Sequence, residues 1–200
     1  DARAQESVQR KAQTAASVLH VTEGGQRRAL DMRALAALVE SACDGLGEAV
    51  SAQPIIQETL KNLYDGVPIE EVRKSAILAA RALLEKDPAY GYVTARLLLN
   101  TIRLEVLGEE VPHADMTDRY ADYFPNFIKE GIEAELLDDR LGRFDLLKLG
   151  TALDASRDLK FTYLGLQTLY DRYFLHIEGR RIELPQAFFM RVAMGLALNE

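Results

Sequence analysis

The chain has 200 residues, 48% of them hydrophobic and 28% charged, a composition that supports a packed core and excludes disorder as its overall state. A formal net charge of −7 argues against a nucleic-acid surface, which needs a clustered excess of Lys and Arg. The lone cysteine, Cys43, excludes an internal disulfide and a cysteine-based metal cage.

Residues 1–17 are polar, alanine-rich and free of Gly and Pro, and read as a lead-in or linker. Val18 to Val21, a turn through Glu23-Gly24-Gly25-Gln26, and Arg27 to Leu30 read as a short β-hairpin. Asp31 is positioned to N-cap a helix over 32–46 whose apolar residues Leu35, Leu38, Val39 and Ala42 fall on one face. A second helix is expected over 52–63. Pro68 suits the first turn of a third, with Glu70 and Glu71 at its positive end, running to Lys86. Asp87-Pro88 breaks the chain, and a fourth helix runs from Ala89 to Leu107, closed by Gly108. Residues 18–108 thus form one unit, a hairpin plus four helices.

The loop from Glu109 to Asp115, with Pro112, is the domain boundary. Residues 109–200 follow as a helical region: an aromatic-rich helix with an internal proline, a mixed segment over 138–158, and a helix over 162–173. A small hairpin from Phe174 to Leu184 turns at Glu178-Gly179, and Pro185 opens a last helix. The fold class is mainly α. The last helix is apolar nearly all round, so part of its surface is expected to be bare in this chain. No signal-peptide pattern opens the chain, and the longest apolar run, from Ala187 to Leu198, contains Arg191. No membrane span and a cytoplasmic location are the expectation. A start at Asp1 without an initiator Met, and a stop just after an apolar helix, suggest a piece of a longer protein.

The histidines His20, His113 and His176 are far apart and have no partner at metal-ligand spacing, so no metal site is expected. Cys43 lies in an apolar run and reads as a structural thiol. The acidic pairs Glu70-Glu71, Glu109-Glu110 and Asp138-Asp139 flank helix ends and read as solvated caps. Tyr120, Tyr123, Tyr163, Tyr170 and Tyr173 read as packing residues. One arrangement suits a ligand: a glycine turn beside a helix N-terminus offers N–H donors to a phosphate. Its candidate residues are Gly24, Gly25, Arg27 and Arg28.

The block FTYLGLQTLYDRYFLHIEGRRIELPQAFFMRVAMGLALNE, from Phe161 to Glu200, closely resembles the helical region that precedes the catalytic barrel of the class I ribonucleotide reductase large chain. RYADYFPNFIKEGIEAELLD fits the same region. LYDGVPIEEVRKSAILAARALL and YGYVTARLLLNTIRLEVLG resemble the ATP-cone, a module that senses ATP against dATP. The resemblance implies an oxidoreductase that makes deoxyribonucleotides for DNA synthesis, working as a large-subunit homodimer with a radical-generating small subunit. Its thiyl-radical chemistry needs several cysteines in or near the barrel, so no catalytic residue is carried over to this chain. Members of the cone family usually place a Lys-Arg-Asp-Gly sequence in the hairpin, where this chain has Thr22-Glu23-Gly24-Gly25. Where the family often has paired lysines near the end of the fourth helix, this chain has Leu104-Glu105. The cone is therefore read as degenerate, with ATP or dATP a ligand only if it is functional. The alternative is an active ATP/dATP-sensing allosteric module.

Overall fold

The computed structural model describes residues 18–199, so the expected lead-in over residues 1–17 lies outside them. Strands β1 (His20–Glu23) and β2 (Gln26–Ala29) pair antiparallel from His20↔Ala29 to Glu23↔Gln26. Gly24 and Gly25, at φ 56° and 79°, form the two-residue turn between them. Positive φ at both positions matches the right-handed twist of the flanking strands, and glycine adopts it without a Cβ clash. A third strand that the sequence does not announce, β3 (Val67–Pro68), lies parallel to the other edge of β1. Pro68 pairs there with Thr22 and stands just ahead of the third helix rather than inside its first turn. Two residues carry no period-2 pattern, and the pairing arises only when tertiary packing presents an open edge.

Four helices complete this half: α1 (Met32–Cys43), α2 (Ala52–Lys61), α3 (Ile69–Ala82) and α4 (Tyr90–Leu107). The Asp31 carboxylate accepts the N–H groups of Arg33 and Ala34, both at 2.9 Å, the expected N-cap. α1 ends three residues before Leu46 because its final carbonyls find another partner. Arg96, from α4, donates to the carbonyls of Ala42 at 3.2 Å and Asp44 at 2.6 Å. Gly108, at φ 73°, closes α4 with its N–H on the Leu104 carbonyl at 2.9 Å, a left-handed cap.

Past a 3-10 turn at His113–Asp115, α5 (Met116–Glu133) carries Pro125 inside it. Proline cannot donate to the carbonyl four residues back, that of Ala121. Gly150 of α6 (Leu146–Thr151) packs against this carbonyl so closely that a Cβ on it would lie 2.9 Å from the oxygen. The proline and the glycine together let the two helices meet. The mixed segment resolves into α6 between 3-10 turns at Asp139–Arg143 and Ala155–Lys160. Next come α7 (Tyr163–Arg172), β4 (His176–Ile177) paired antiparallel with β5 (Arg180–Arg181), and α8 (Pro185–Leu196) with Pro185 in its first turn.

The core is continuous along the chain. α4 packs on α1 and α3 on one side and on α7 and β5 on the other, so it serves both halves. Ile102, Met116, Tyr120, Phe124, Ile128, Leu166 and Leu184 are fully buried around this axis. On α8, Ala187 and Met194 are buried while Phe189, Val192 and Leu196 stay exposed, leaving bare the apolar stripe expected there. No helix among the described residues is long and apolar enough to cross a membrane.

Candidate nucleotide site in the hairpin module

The four candidate residues occupy the tip and outgoing strand of the β1–β2 hairpin. Around Gly24 and Gly25 the space is open, with no atom within 4 Å of where a Cβ would stand. Arg27 and Arg28 are neighbours on β2, and neighbours on a strand face opposite sides of the sheet. Their partners reflect this. Arg27 donates through Nη2 to Asp65, which also accepts the His20 N–H at 2.8 Å and meets His20 Nδ1 at 3.0 Å. Arg28 donates to Glu23 through Nε at 2.9 Å and Nη2 at 2.5 Å. The hairpin therefore does not bring the two guanidinium groups to one point.

Both guanidinium groups and two N–H groups at the start of α1 already meet carboxylates. The Asp65 carboxyl is held below the usual carboxylate range, chiefly by the His20 N–H, then by the His20 ring and the Arg27 charge. The first-turn donors of α1 are taken by Asp31. The Thr22 hydroxyl is spent on the Gly66 carbonyl at 3.0 Å. A triphosphate arriving here competes with Asp65, Glu23 and Asp31 for these donors.

Other sequence candidates fall elsewhere. Cys43 is half-buried, and its thiol pKa is raised by desolvation, with Arg96 pulling weakly the other way. A raised pKa keeps it a thiol at neutral pH, the less nucleophilic form. Of the histidines, His20 joins Asp65, His113 meets Arg103 Nη2 at 3.3 Å, and His176 is exposed on β4. Glu109 and Glu110 are more than helix-end charges, since they pair with Arg119 at 2.7 Å and Arg73 at 2.9 Å. Tyr120 and Tyr123 pack inside, whereas Tyr173 is exposed on one side and meets the Phe188 ring at 6.2 Å on the other.

Sequence reasoning missed three carboxylates that organise the molecule. Glu105 accepts the Tyr170 hydroxyl at 2.6 Å and the Arg181 N–H at 2.7 Å. Asp158 and Glu183 are fully buried. Their signal in the sequence is faint, a charge among apolar neighbours with its partner many residues away.

Comparison with known proteins gives a consistent picture. The family described as "Ribonucleotide reductase, all-alpha domain" matches residues 159–200. The ribonucleoside-diphosphate reductase subunit alpha of Chlamydia muridarum is 44% identical over 166 residues, covering 83% of this chain and 16% of that protein. The subunit alpha of Helicobacter pylori is 32% identical over 182 residues, 90% of this chain and 22% of its own length. The large subunit of Danio rerio is 28% identical over 177 residues, 87% of this chain and 22% of that protein. The chain thus spans between about a sixth and a fifth of these relatives. It belongs to the ribonucleotide reductase large-subunit family, of which it carries an N-terminal portion.

Proposed function

We propose that this chain is the structural and regulatory N-terminal part of a ribonucleoside-diphosphate reductase large subunit, non-catalytic in itself and with nucleotide sensing lost from its hairpin. The whole enzyme makes deoxyribonucleotides for DNA replication in the cytoplasm. Its partners are the rest of the large chain, a second large subunit and a radical-generating small subunit. The portion here needs no cofactor of its own. The residues at the hairpin do not fit a triphosphate, their cations being matched by carboxylates.

The observation that supports this reading is the matching of Arg27, Arg28 and the α1 N-terminus by Asp65, Glu23 and Asp31. Binding a nucleotide there trades existing pairs for new ones and adds the repulsion of three carboxylates. The half-buried thiol of Cys43 supports the non-catalytic half of the reading, because radical and dithiol chemistry needs several cooperating sulfurs.

A thermal-shift titration with ATP and dATP tests it. Ligand at a hundred times its dissociation constant stabilises by about 2.7 kcal/mol, which raises the melting point of a chain this size by about 5–11 °C. No shift at millimolar nucleotide is the expected result. A saturable rise of several degrees, abolished by Arg27→Ala with Arg28→Ala, establishes the active allosteric sensor instead. Turnover of a ribonucleotide by this chain, lost in Cys43→Ser, overturns its assignment as non-catalytic.

A further inference from the structure

The boundary between residues 18–108 and 109–200 is crossed by a buried polar cluster. Asp158, 1% exposed, stands on the 3-10 turn at Ala155–Lys160. It accepts from Arg103 Nη2 at 2.9 Å, the Tyr120 hydroxyl at 2.9 Å and Gln186 Nε2 at 2.8 Å. Those donors come from α4, α5 and the first turn of α8, and all three are buried. The Tyr120 hydroxyl also accepts the backbone N–H of Gln186 at 3.3 Å. Four elements meet at one carboxylate.

A hinge between two modules needs a seam whose contacts can break and re-form in water. This seam is unsuited to that. Two charges taken out of water are tolerated only while paired with good geometry, and separating them leaves each uncompensated. Arg103 has little slack, since its Nε is already buried without a partner. The carboxylate's three donors are satisfied in one arrangement of α4 against α5 and α8, and a slide of α4 by one residue takes Arg103 away and leaves Asp158 a buried charge without its cation. Around the cluster, Arg81 of α3 lies 5.5 Å over the Tyr163 ring of α7, and Glu105 of α4 holds Tyr170.

We propose that Arg103 and Asp158 form a latch that fixes the hairpin module to the helical half. Residues 18–108 are then a rigid extension rather than a hinged module, and Asp158 is a positioning residue for the start of α8. The latch stands whether or not the hairpin binds a nucleotide.

Native-state hydrogen exchange on the 200-residue chain tests this with two variants. In the unaltered chain, the slowest amides of α1 and α3 are expected to exchange through the same opening as those of α5 and α8. In Asp158→Asn the two sets separate, differing by about tenfold or more, which is ~1.4 kcal/mol. A variant with both Arg103→Met and Asp158→Leu removes both charges at similar volume, keeps the fold if the single change does not, and is expected to separate the sets too. Two independent openings in the unaltered chain overturn the latch. So does an equal loss of protection in both halves of the variants, the outcome for a pair that adds stability without coupling.

Discussion

The carboxylate of Glu105, in the last turn of α4, accepts the hydroxyl of Tyr170 from α7 at 2.6 Å. It also accepts the Arg181 N–H at 2.7 Å, and the Arg181 guanidinium lies 4.3 Å over the Tyr170 ring. Tyr170 and Arg181, 65 and 76 residues further along the chain, both close on this acid.

Glu105→Lys is expected to destabilise the chain by about 2 kcal/mol, because charge-assisted bonds to partly exposed groups are lost and a cation faces Arg181. The melting point falls by about 4–8 °C, and Glu105→Gln costs less. Alkaline pH adds a second readout. Burial and the Glu105 bond push the Tyr170 phenol from 10.0 up to about 12. A raised folded pKa contributes stability that is intact below pH 10 and lost as pH climbs towards 12. Thermal melts across that range should slope less steeply in Tyr170→Phe, and an equal slope refutes the assignment.

Glu183 is the second acid to test. It accepts Arg191 Nε at 2.5 Å, Arg191 Nη2 at 3.1 Å and the Leu175 N–H at 2.9 Å. Desolvation raises its pKa, and the Arg191 bond and charge oppose the rise. Glu183→Ala leaves Arg191 without its partner and is expected to cost about 3 kcal/mol, a melting point about 6–12 °C lower. Glu183→Gln keeps an acceptor for Leu175 and should lose less. Hydrogen exchange then rises first in α8, where Arg191 sits, and a uniform rise through the chain contradicts this account.

His113 contributes on the acid side. Desolvation lowers its pKa from 6.5, and the neighbouring Arg103 charge lowers it further. The unfolded chain therefore takes up this proton at higher pH than the folded one. Its contribution to stability is full above pH 6.5 and diminishes as pH falls through the lower folded value. The melting point of the unaltered chain should drop more between about pH 7 and 5 than that of His113→Gln. Equal drops remove His113 from the acid response.

Much of the architecture was legible because it rests on local rules. Asp31 caps α1, Gly24-Gly25 makes the hairpin turn, Gly108 ends α4 and Pro185 starts α8, each a matter of φ angle or an unmet backbone group within a few residues. The site was half legible. The glycine turn and its two arginines could be read directly, but Asp65 as the partner of Arg27 could not, since 38 residues separate them. Glu109 and Glu110 are solvated as expected, but their partners Arg119 and Arg73 were invisible to local spacing.

What the amino-acid order determined by itself is the helical class, most of the helices and the two hairpins. These follow from backbone conformations and periodicities that neighbouring residues impose on one another. Only the tertiary structure decided that β3 would join the sheet, that Arg27 would meet Asp65, and that α4 would serve both halves through Arg103 and Asp158. Those outcomes depend on which charges lose their water and which partners then lie within reach, and burial of that kind is a property of the packed whole rather than of any one segment.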